Sequence, residues 1–171
     1  MLTHIFTSMS CARCRLCCNF RPCSAWETPF LEESLCEVLR NQGITLCSRP
    51  NGSDSFLLEF QTGSSEEAVN CPLLDPLSGC TLPREQRPFE CRVWPLRLMQ
   101  ENGALCIGCY TACPALLEKG VREKLISSAR GELLPILLDY ARRFPQSVRA
   151  FDPAYEIIWH ETADQISKRE G

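Results

Sequence analysis

Cysteine is the residue that most constrains what this chain can fold into. Thirteen of its 171 residues are cysteine, and the densest run is CARCRLCCNFRPC, residues 11 to 23, which has five cysteines, three arginines and no acidic residue. The total is odd, and many of the thiols lie too close along the chain for disulfides to close comfortably. In a reducing compartment, clustered cysteines more often bind metal or carry out redox chemistry. The pattern therefore predicts a metal-binding protein, with disulfides and scattered structural thiols as the alternatives.

Length and charge exclude several classes of protein. A chain of 171 residues suits one domain with, at most, a small appendage. Its net charge of −3 gives no bulk attraction to nucleic acid or acidic membranes, and its apolar runs are too short to span a bilayer. The N-terminal residues do not resemble a signal peptide. We expect a cytoplasmic protein with no membrane or nucleic-acid partner, and an unidentified protein partner remains open.

The distribution of cysteines predicts two parts. No cysteine follows Cys113, which indicates a metal-binding body over residues 9–114 and a helical extension over residues 115–171 packed on it. We expect an α+β fold, small and rich in loops, with short hairpins in the body and helices at the C-terminus.

Helix signals occur four times. TPFLEESLCEVLRNQG predicts a helix that Thr28 caps, that has Pro29 at its first position and that ends at Gly43. Three further amphipathic segments, ALLEKGVREKLISSA, ELLPILLDYARRF and DPAYEIIWHETADQISKRE, predict C-terminal helices. Asp152 would cap the last of them.

Two segments have the signals of β-hairpins. ITLCSRPNGSDSFLLEF predicts two short strands around Asn51 and Gly52. RVWPLRLMQENGALCIG predicts another pair that turns at Asn102 and Gly103. Such hairpins could carry cysteine ligands at their ends.

The cysteine spacing is typical of zinc and iron–sulfur sites. Two thiols separated by two residues can bind one centre when a tight turn directs both sulfurs inward, and C-x2-C-x3-C-P at residues 106 to 114 resembles part of the bacterial ferredoxin pattern. The predicted ligands are Cys11, Cys14, Cys17, Cys18, Cys71, Cys80, Cys91, Cys106, Cys109 and Cys113. The other three, Cys23, Cys36 and Cys47, are predicted to be structural or peripheral.

The adjacent pair Cys17 and Cys18 indicates two centres. Neighbouring side chains usually diverge, especially in extended backbone, so one centre is poorly served by both. We expect Cys17 to join Cys11 and Cys14, and Cys18 to join ligands from the later part of the chain.

Basic residues accompany the thiols. Arg87 and Arg92 flank Cys91, and we expect both to lie next to the ligands, where guanidinium groups would stabilise an anionic thiolate centre. A surface salt bridge at Arg87 is the plainer alternative. A zinc-ribbon-like module whose arginines bind phosphate is another.

Other sites are less favoured. CIGC at residues 106 to 109 could be a dithiol redox pair, but no βαβ unit surrounds it. His4 and His160 could each complete a metal site. No nucleophile, phosphate-binding or dinucleotide-binding motif is present, so the sequence leans away from an enzyme.

The combination of motifs resembles a known family. CARCRLCC, then Cys71 in CPLLD, Cys80 in SGCTL and finally RPFECRVWPL are similar to the cysteine-cluster proteins of the YkgJ type, described as a zinc- or iron-chelating domain. The resemblance spans residues 11 to 113. A similar module occurs in flagellin lysine methylases, where it resembles an iron–sulfur-binding unit.

Three functions follow as expectations. The first is an iron–sulfur protein, with a [4Fe-4S] cluster or two centres, that acts in electron transfer or as an accessory module. The second is a structural zinc protein that serves as an interaction platform. The third is a protein-modifying enzyme like the methylase.

Overall fold

The computed structural model describes residues 2, 5–6, 14–21, 27–44, 46–48, 56–58 and 67–162. Contacts divide the chain into two compact units. The N-terminal unit is Phe6–Trp94, and the C-terminal unit is Met1–Ile5 with Pro95–Gly171. The division therefore falls twenty residues before the predicted boundary at 114, and the second hairpin belongs with the C-terminal helices.

In the N-terminal unit, the longest described helix is α1, Glu33–Asn41. It ends near Gly43, which has φ 78°, as predicted. The predicted start was wrong, because the N-cap residue is Glu32, whose backbone is extended, and not Thr28. The N–H of Phe30 instead donates to Oε2 of Glu90 at 2.7 Å, so residues before Glu32 are committed to a contact outside the helix.

Short antiparallel ladders complete the N-terminal unit. β1, Asn19–Phe20, pairs with β4, Val69–Asn70, and β5, Leu74–Asp75, pairs with β6, Gly79–Cys80. A short helix, α2, covers Phe89–Val93.

The first predicted hairpin is also present in this unit. β2, Leu46–Ser48, pairs with β3, Phe56–Leu58, which confirms its two strands. Asn51, Gly52 and the side chain of Cys47 lie outside the described residues.

The core of this unit explains one cysteine. Cys36 is fully buried on α1 together with Leu39. The buried core residues are Phe20, Leu31, Cys36, Leu39, Leu73 and Leu82. The structural role predicted for Cys36 is confirmed.

The C-terminal unit contains a four-stranded sheet. Its strands lie in the order β10 (Tyr155–His160), β8 (Ala104–Tyr110), β7 (Leu96–Glu101) and β9 (Arg149–Ala150). β7, Leu96–Glu101, and β8, Ala104–Tyr110, form the predicted hairpin. Asn102 and Gly103 both have positive φ, 51° and 85°, as a two-residue turn between twisted strands requires. The edge strand β9, Arg149–Ala150, is parallel to β7.

Two predicted C-terminal helices are confirmed, and the third is wrong over its described part, since residues 163–170 lie outside the described ranges. α3 is Val121–Arg130 and α4 is Leu134–Arg143, with Gly131 between them. Tyr155–His160 is instead a strand, β10, paired with β8. Its Tyr-Ile-Ile-Trp content suits a strand, and β8 supplies the backbone hydrogen-bond partners for it.

The described chain is therefore α+β, with short hairpins and C-terminal helices. None of its described helices is long and apolar enough to cross a membrane.

Candidate metal centre

Five thiols of the N-terminal unit line one cavity. Its volume is about 250 Å³. The cysteines that line it are Cys17, Cys18, Cys71, Cys80 and Cys91. The apolar side chains of Phe20, Leu31 and Leu73, all buried, form part of the wall. Three residues with cationic side chains, Arg84, Arg87 and Arg92, also line it.

Backbone hydrogen bonds bring the first three thiols together. Cys17 and Cys18 lie in a 3₁₀ turn, Leu16–Cys18, which follows Arg15 in a left-handed conformation with φ 54°. The N–H of Cys71 donates to the carbonyl of Cys18 at 2.7 Å. The antiparallel pairing of β1 with β4 begins at the next residue, so Cys18 and Cys71 are held at the end of one ladder.

The other two thiols come from β6 and α2. Cys80 pairs with Leu74 of β5, and Asp75 closes the intervening turn by accepting N–H bonds from Leu77 and Ser78 at 2.9 and 2.7 Å. Cys91 lies in α2, and its N–H donates to the carbonyl of Pro88 at 3.0 Å. The cavity thus collects thiols from four separate segments of the chain.

Cys17 and Cys18 were expected to diverge toward different centres, but both line this cavity. A hydrogen bond from the side chain of Cys17 lowers the pKa of Cys18 to about 7, against the opposing effect of burial. The positive charge of Arg87 lowers it further. Cys18 is therefore the thiol that ionises most readily among those whose pKa is perturbed here.

The pKa values also identify which thiols are electrostatic neighbours. Burial raises the pKa of Cys71 to about 12, and the charges of Cys18 and Cys80 add to the rise. Burial raises the pKa of Cys91 well above its ordinary value, with added effects from Cys71, Glu90, Cys18 and Cys80. Because a negative charge on one thiol raises the pKa of the next, Cys71 and Cys91 favour the protonated form until a cation compensates them.

Two of the arginines use their donors differently. Nε of Arg87 donates to the carbonyl of Leu82 at 3.1 Å, and a terminal nitrogen donates to the carbonyl of Cys80 at 3.4 Å. The guanidinium of Arg92 lies over the ring of Phe89, 5.7 Å from its centroid. Its Nε is buried and has no hydrogen-bond partner among the described residues.

Three further predicted ligands lie in the C-terminal unit. Cys106 and Cys109 are both in β8 and not at a tight turn, and Cys113 follows the strand; all three are buried. Residues three apart on a strand point to opposite faces, so the C-x2-C spacing does not direct the two β8 sulfurs to one point. Burial raises the pKa of each β8 thiol to about 11.

The remaining predicted ligands are near the N-terminus. Cys14 is half-buried and is not among the residues that line the cavity. Cys11 lies outside the described residues, as do Cys23 and His4. The predicted N-terminal centre and the number of centres therefore stay predictions.

Within the described ranges, no three or more His, Cys, Asp or Glu side chains are arranged to hold a metal ion. The apolar wall and Arg84 were not predicted as parts of the site. The net positive charge of residues 84 to 97 was the available signal for Arg84, whereas nothing in the sequence distinguishes wall residues from the rest of the core.

Comparisons with known proteins give no relative. No protein-family model, curated protein or solved structure matches the chain. The resemblance to the YkgJ type stays a prediction from the motifs.

Proposed function

We propose that the N-terminal unit binds a [4Fe-4S] cluster through Cys18, Cys71, Cys80 and Cys91 and acts in electron transfer or as an accessory module. The observation that carries the proposal is the shared cavity of about 250 Å³, lined by five thiols. Four cysteine thiolates are the ordinary ligand set of such a cluster. The fifth thiol, Cys17, would support Cys18 by hydrogen bonding.

The size of the cavity favours a cluster over a single zinc ion. Four thiolates close around zinc at about 2.3 Å from the metal and leave no free position in a structural site. One water molecule takes up about 30 Å³ of the liquid, so a space of about 250 Å³ is far larger than one ion needs. Structural zinc is therefore the second candidate.

The lining residues fit an anionic group. Four thiolates bring negative charge into a partly apolar cavity, and Arg84, Arg87 and Arg92 supply positive charge at its wall. When bound, an iron–sulfur cluster supplies one-electron transfer.

Binding of the cluster would release protons from the thiols, and apolar side chains of the cavity would keep water away from it. Cys71 and Cys91 favour the protonated thiol, so binding would release a proton from each, and affinity should fall as pH falls. Phe20, Leu31 and Leu73 would limit the access of water to the bound group. A cytoplasmic location, where thiols stay reduced, belongs to the same proposal.

Anaerobic purification tests this proposal. We expect a coloured protein with about four iron and four acid-labile sulfide per chain, the composition of one cluster. About twice that content would support the second centre predicted from Cys11, Cys14 and Cys17. A colourless protein that retains zinc would overturn the iron–sulfur proposal in favour of the second candidate.

A further inference from the structure

One hairpin of the N-terminal unit supplies part of the cavity lining. It consists of β5 and β6, and its residues Leu74, Ser78, Gly79 and Cys80 line the cavity. Two residue pairs join its strands. A two-stranded hairpin this short has little stability of its own, so its position depends on contacts with the rest of the unit.

The base of the hairpin is held by partly buried contacts. The N–H and the hydroxyl group of Thr81 donate to the carbonyl of Leu73 at 2.8 and 3.1 Å. Arg87 donates to the carbonyls of Leu82 and Cys80 at 3.1 and 3.4 Å. These contacts fix the end of the hairpin at which β6 leaves it.

The tip of the hairpin is held by Arg15. The guanidinium of Arg15 donates to the carbonyl of Pro76, in the turn between the two strands. Hydrogen bonds from Ser78 lower the pKa of Asp75, and the positive charge of Arg15 lowers it further. Arg15 thus contacts the turn both by hydrogen bonding and by charge, and this contact is exposed to solvent, unlike those at the base.

The place of Arg15 in the chain gives this contact its importance. Arg15 immediately precedes the 3₁₀ turn Leu16–Cys18, and the N–H of Cys18 donates to its carbonyl at 2.9 Å. Its φ of 54° is left-handed, which is uncommon for a residue other than glycine. One side chain therefore joins the turn that carries Cys17 and Cys18 to the hairpin that carries Cys80, and both segments line the same cavity.

The tip can open without disturbing the base. An exposed contact is easier to break than a buried one, because water replaces the lost hydrogen bond. Leu77, at the tip, is 93% exposed, so the turn itself buries little apolar surface. Local opening is typical of segments with few buried contacts. The contact of Arg15 with the turn is therefore the one whose loss would free the hairpin to move.

We propose that Arg15 holds the β5–β6 hairpin closed over the thiol cavity and so controls the entry and loss of the bound metal. The proposal rests on the proposed function. Arg15 is a positioning residue, because it acts on the metal through the placement of Cys80 relative to Cys18. Opening of the hairpin separates these two ligands and admits the metal, and closure brings them together around it.

Two variants of Arg15 in the full chain test the proposal. Arg15→Gly removes the side chain and keeps the left-handed backbone, since glycine adopts a positive φ readily. Arg15→Lys keeps the positive charge and an ammonium group that can donate to the carbonyl of Pro76. Arg122→Ala is the control for loss of an exposed arginine, because Arg122 forms an exposed ion pair with Glu156 in the C-terminal unit.

The first measurement is the rate at which iodoacetamide alkylates Cys80 in the reduced, metal-free protein, with the site located by peptide mass spectrometry. We expect Arg15→Gly to raise this rate roughly threefold to tenfold, the range that loss of one hydrogen bond gives, and Arg15→Lys to restore most of the wild-type rate. Cys36 is fully buried in the core of the same unit and reports unfolding, so its rate should not change. Arg122→Ala should match the wild type at both cysteines.

The second measurement is the rate at which a chelator removes metal from the loaded protein. Arg15→Gly should lose its metal faster by a similar factor, whereas Arg15→Lys and Arg122→Ala should stay close to the wild type. This measurement decides alone if the metal-free wild type already labels Cys36 rapidly, because the unit would then unfold without metal.

Equal rates of metal loss in the wild type and Arg15→Gly would overturn the inference and leave the cluster proposal intact. So would labelling of Cys36 and Cys80 that rises by the same factor, since Arg15 would then stabilise the whole unit and not the hairpin. A wild type that holds zinc overturns the cluster proposal, while the rate of zinc removal still tests Arg15. A wild type with neither iron nor zinc would overturn the proposed function and, with it, the role of Arg15 in metal entry.

Discussion

The two units use the same residue in opposite ways. In the N-terminal unit, thiols from four segments line one cavity. Cys17 and Cys18 are adjacent in the sequence, whereas Cys71 is more than fifty residues from them. In the C-terminal unit, Cys106 and Cys109 have the spacing of a chelating pair but lie on one strand. A C-x2-C spacing therefore favours chelation only where the backbone turns, because a strand sends residues three apart to opposite faces.

The charges around the thiols differ as well. The positive charge of Arg87 helps lower the pKa of Cys18. After burial, the next influence on Cys106 is the negative charge of Glu101, and that on Cys109 is Glu156, only partly offset by Arg122. Arg87 therefore favours the thiolate of Cys18. Carboxylates favour the neutral thiol at Cys91 of the cavity and at both β8 cysteines, where buried thiols act as small apolar side chains.

Replacing one thiol in each unit gives the largest expected contrast. Cys71→Ser should lose nearly all bound metal, because it removes one of the four proposed ligands, and Cys106→Ser should keep the wild-type content. The measurement is metal and sulfide per chain after anaerobic purification. Cys106 is fully buried and Cys71 is partly buried, so Cys106→Ser controls for the burial of a hydroxyl group.

Either of two results would contradict the assignment of metal binding to the cavity thiols and not to the β8 thiols. Metal loss in Cys106→Ser, in a protein that stays folded by circular dichroism, would return the β8 thiols to the set of ligands. Full metal content in Cys71→Ser would remove Cys71 from the proposed four.

The dependence of stability on alkaline pH should distinguish the β8 thiols from the cavity thiols. The ordinary pKa of a cysteine here is 9.0, and burial raises those of Cys106 and Cys109 to about 11. Between these values the unfolded chain has released the proton and the folded chain has kept it, so stability falls by about 1.4 kcal/mol per pH unit for each thiol. Below pH 9 both states hold the proton and this effect vanishes.

Urea unfolding at several pH values from 8 to 11 measures this loss. Cys106→Ser should reduce the slope of stability against pH by about one thiol's share, roughly 1.4 kcal/mol per unit. Ligands bound to metal as thiolates have no proton to lose, so the cavity thiols should not contribute in the loaded protein. An unchanged slope in Cys106→Ser would show that the β8 thiol is already ionised or bound.

Some of this contrast can be predicted from the sequence. The β7–β8 hairpin can be predicted from Asn102 and Gly103. A two-residue hairpin turn needs positive φ at both positions, and Asn followed by Gly adopts it readily. The amphipathic pattern of residues 121 to 143 predicts two helices for the same kind of local reason. Cys18 was expected to join later ligands, and it lines a cavity with Cys71, Cys80 and Cys91. Cys17 lines the same cavity, although it was expected to join Cys11 and Cys14.

Tertiary pairing decided the remaining elements. The segment at Tyr155 to His160 was predicted to be a helix, and its strand depends on β8, which lies more than forty residues earlier. Likewise, the early residues of the predicted α1 are held by Glu90, sixty residues later. Local propensity does not contain these partners, and the same is true of the apolar wall of the cavity.

The smallest expected effect concerns Gly108, which sits between the two β8 cysteines. A Cβ at this position would collide with Cε of Met99 and would lie 2.8 Å from Cβ of Tyr155. Met99 can move its flexible end, but Tyr155 would have to shift at its first side-chain atom, so Gly108→Ala should lower stability by about 1–3 kcal/mol, as overpacking usually does. Urea unfolding measures the loss. If the cavity thiols alone form the centre, metal content stays at the wild-type level in Gly108→Ala. A variant that loses metal while remaining folded would mean that the glycine serves a metal-binding loop and not the close packing of three strands.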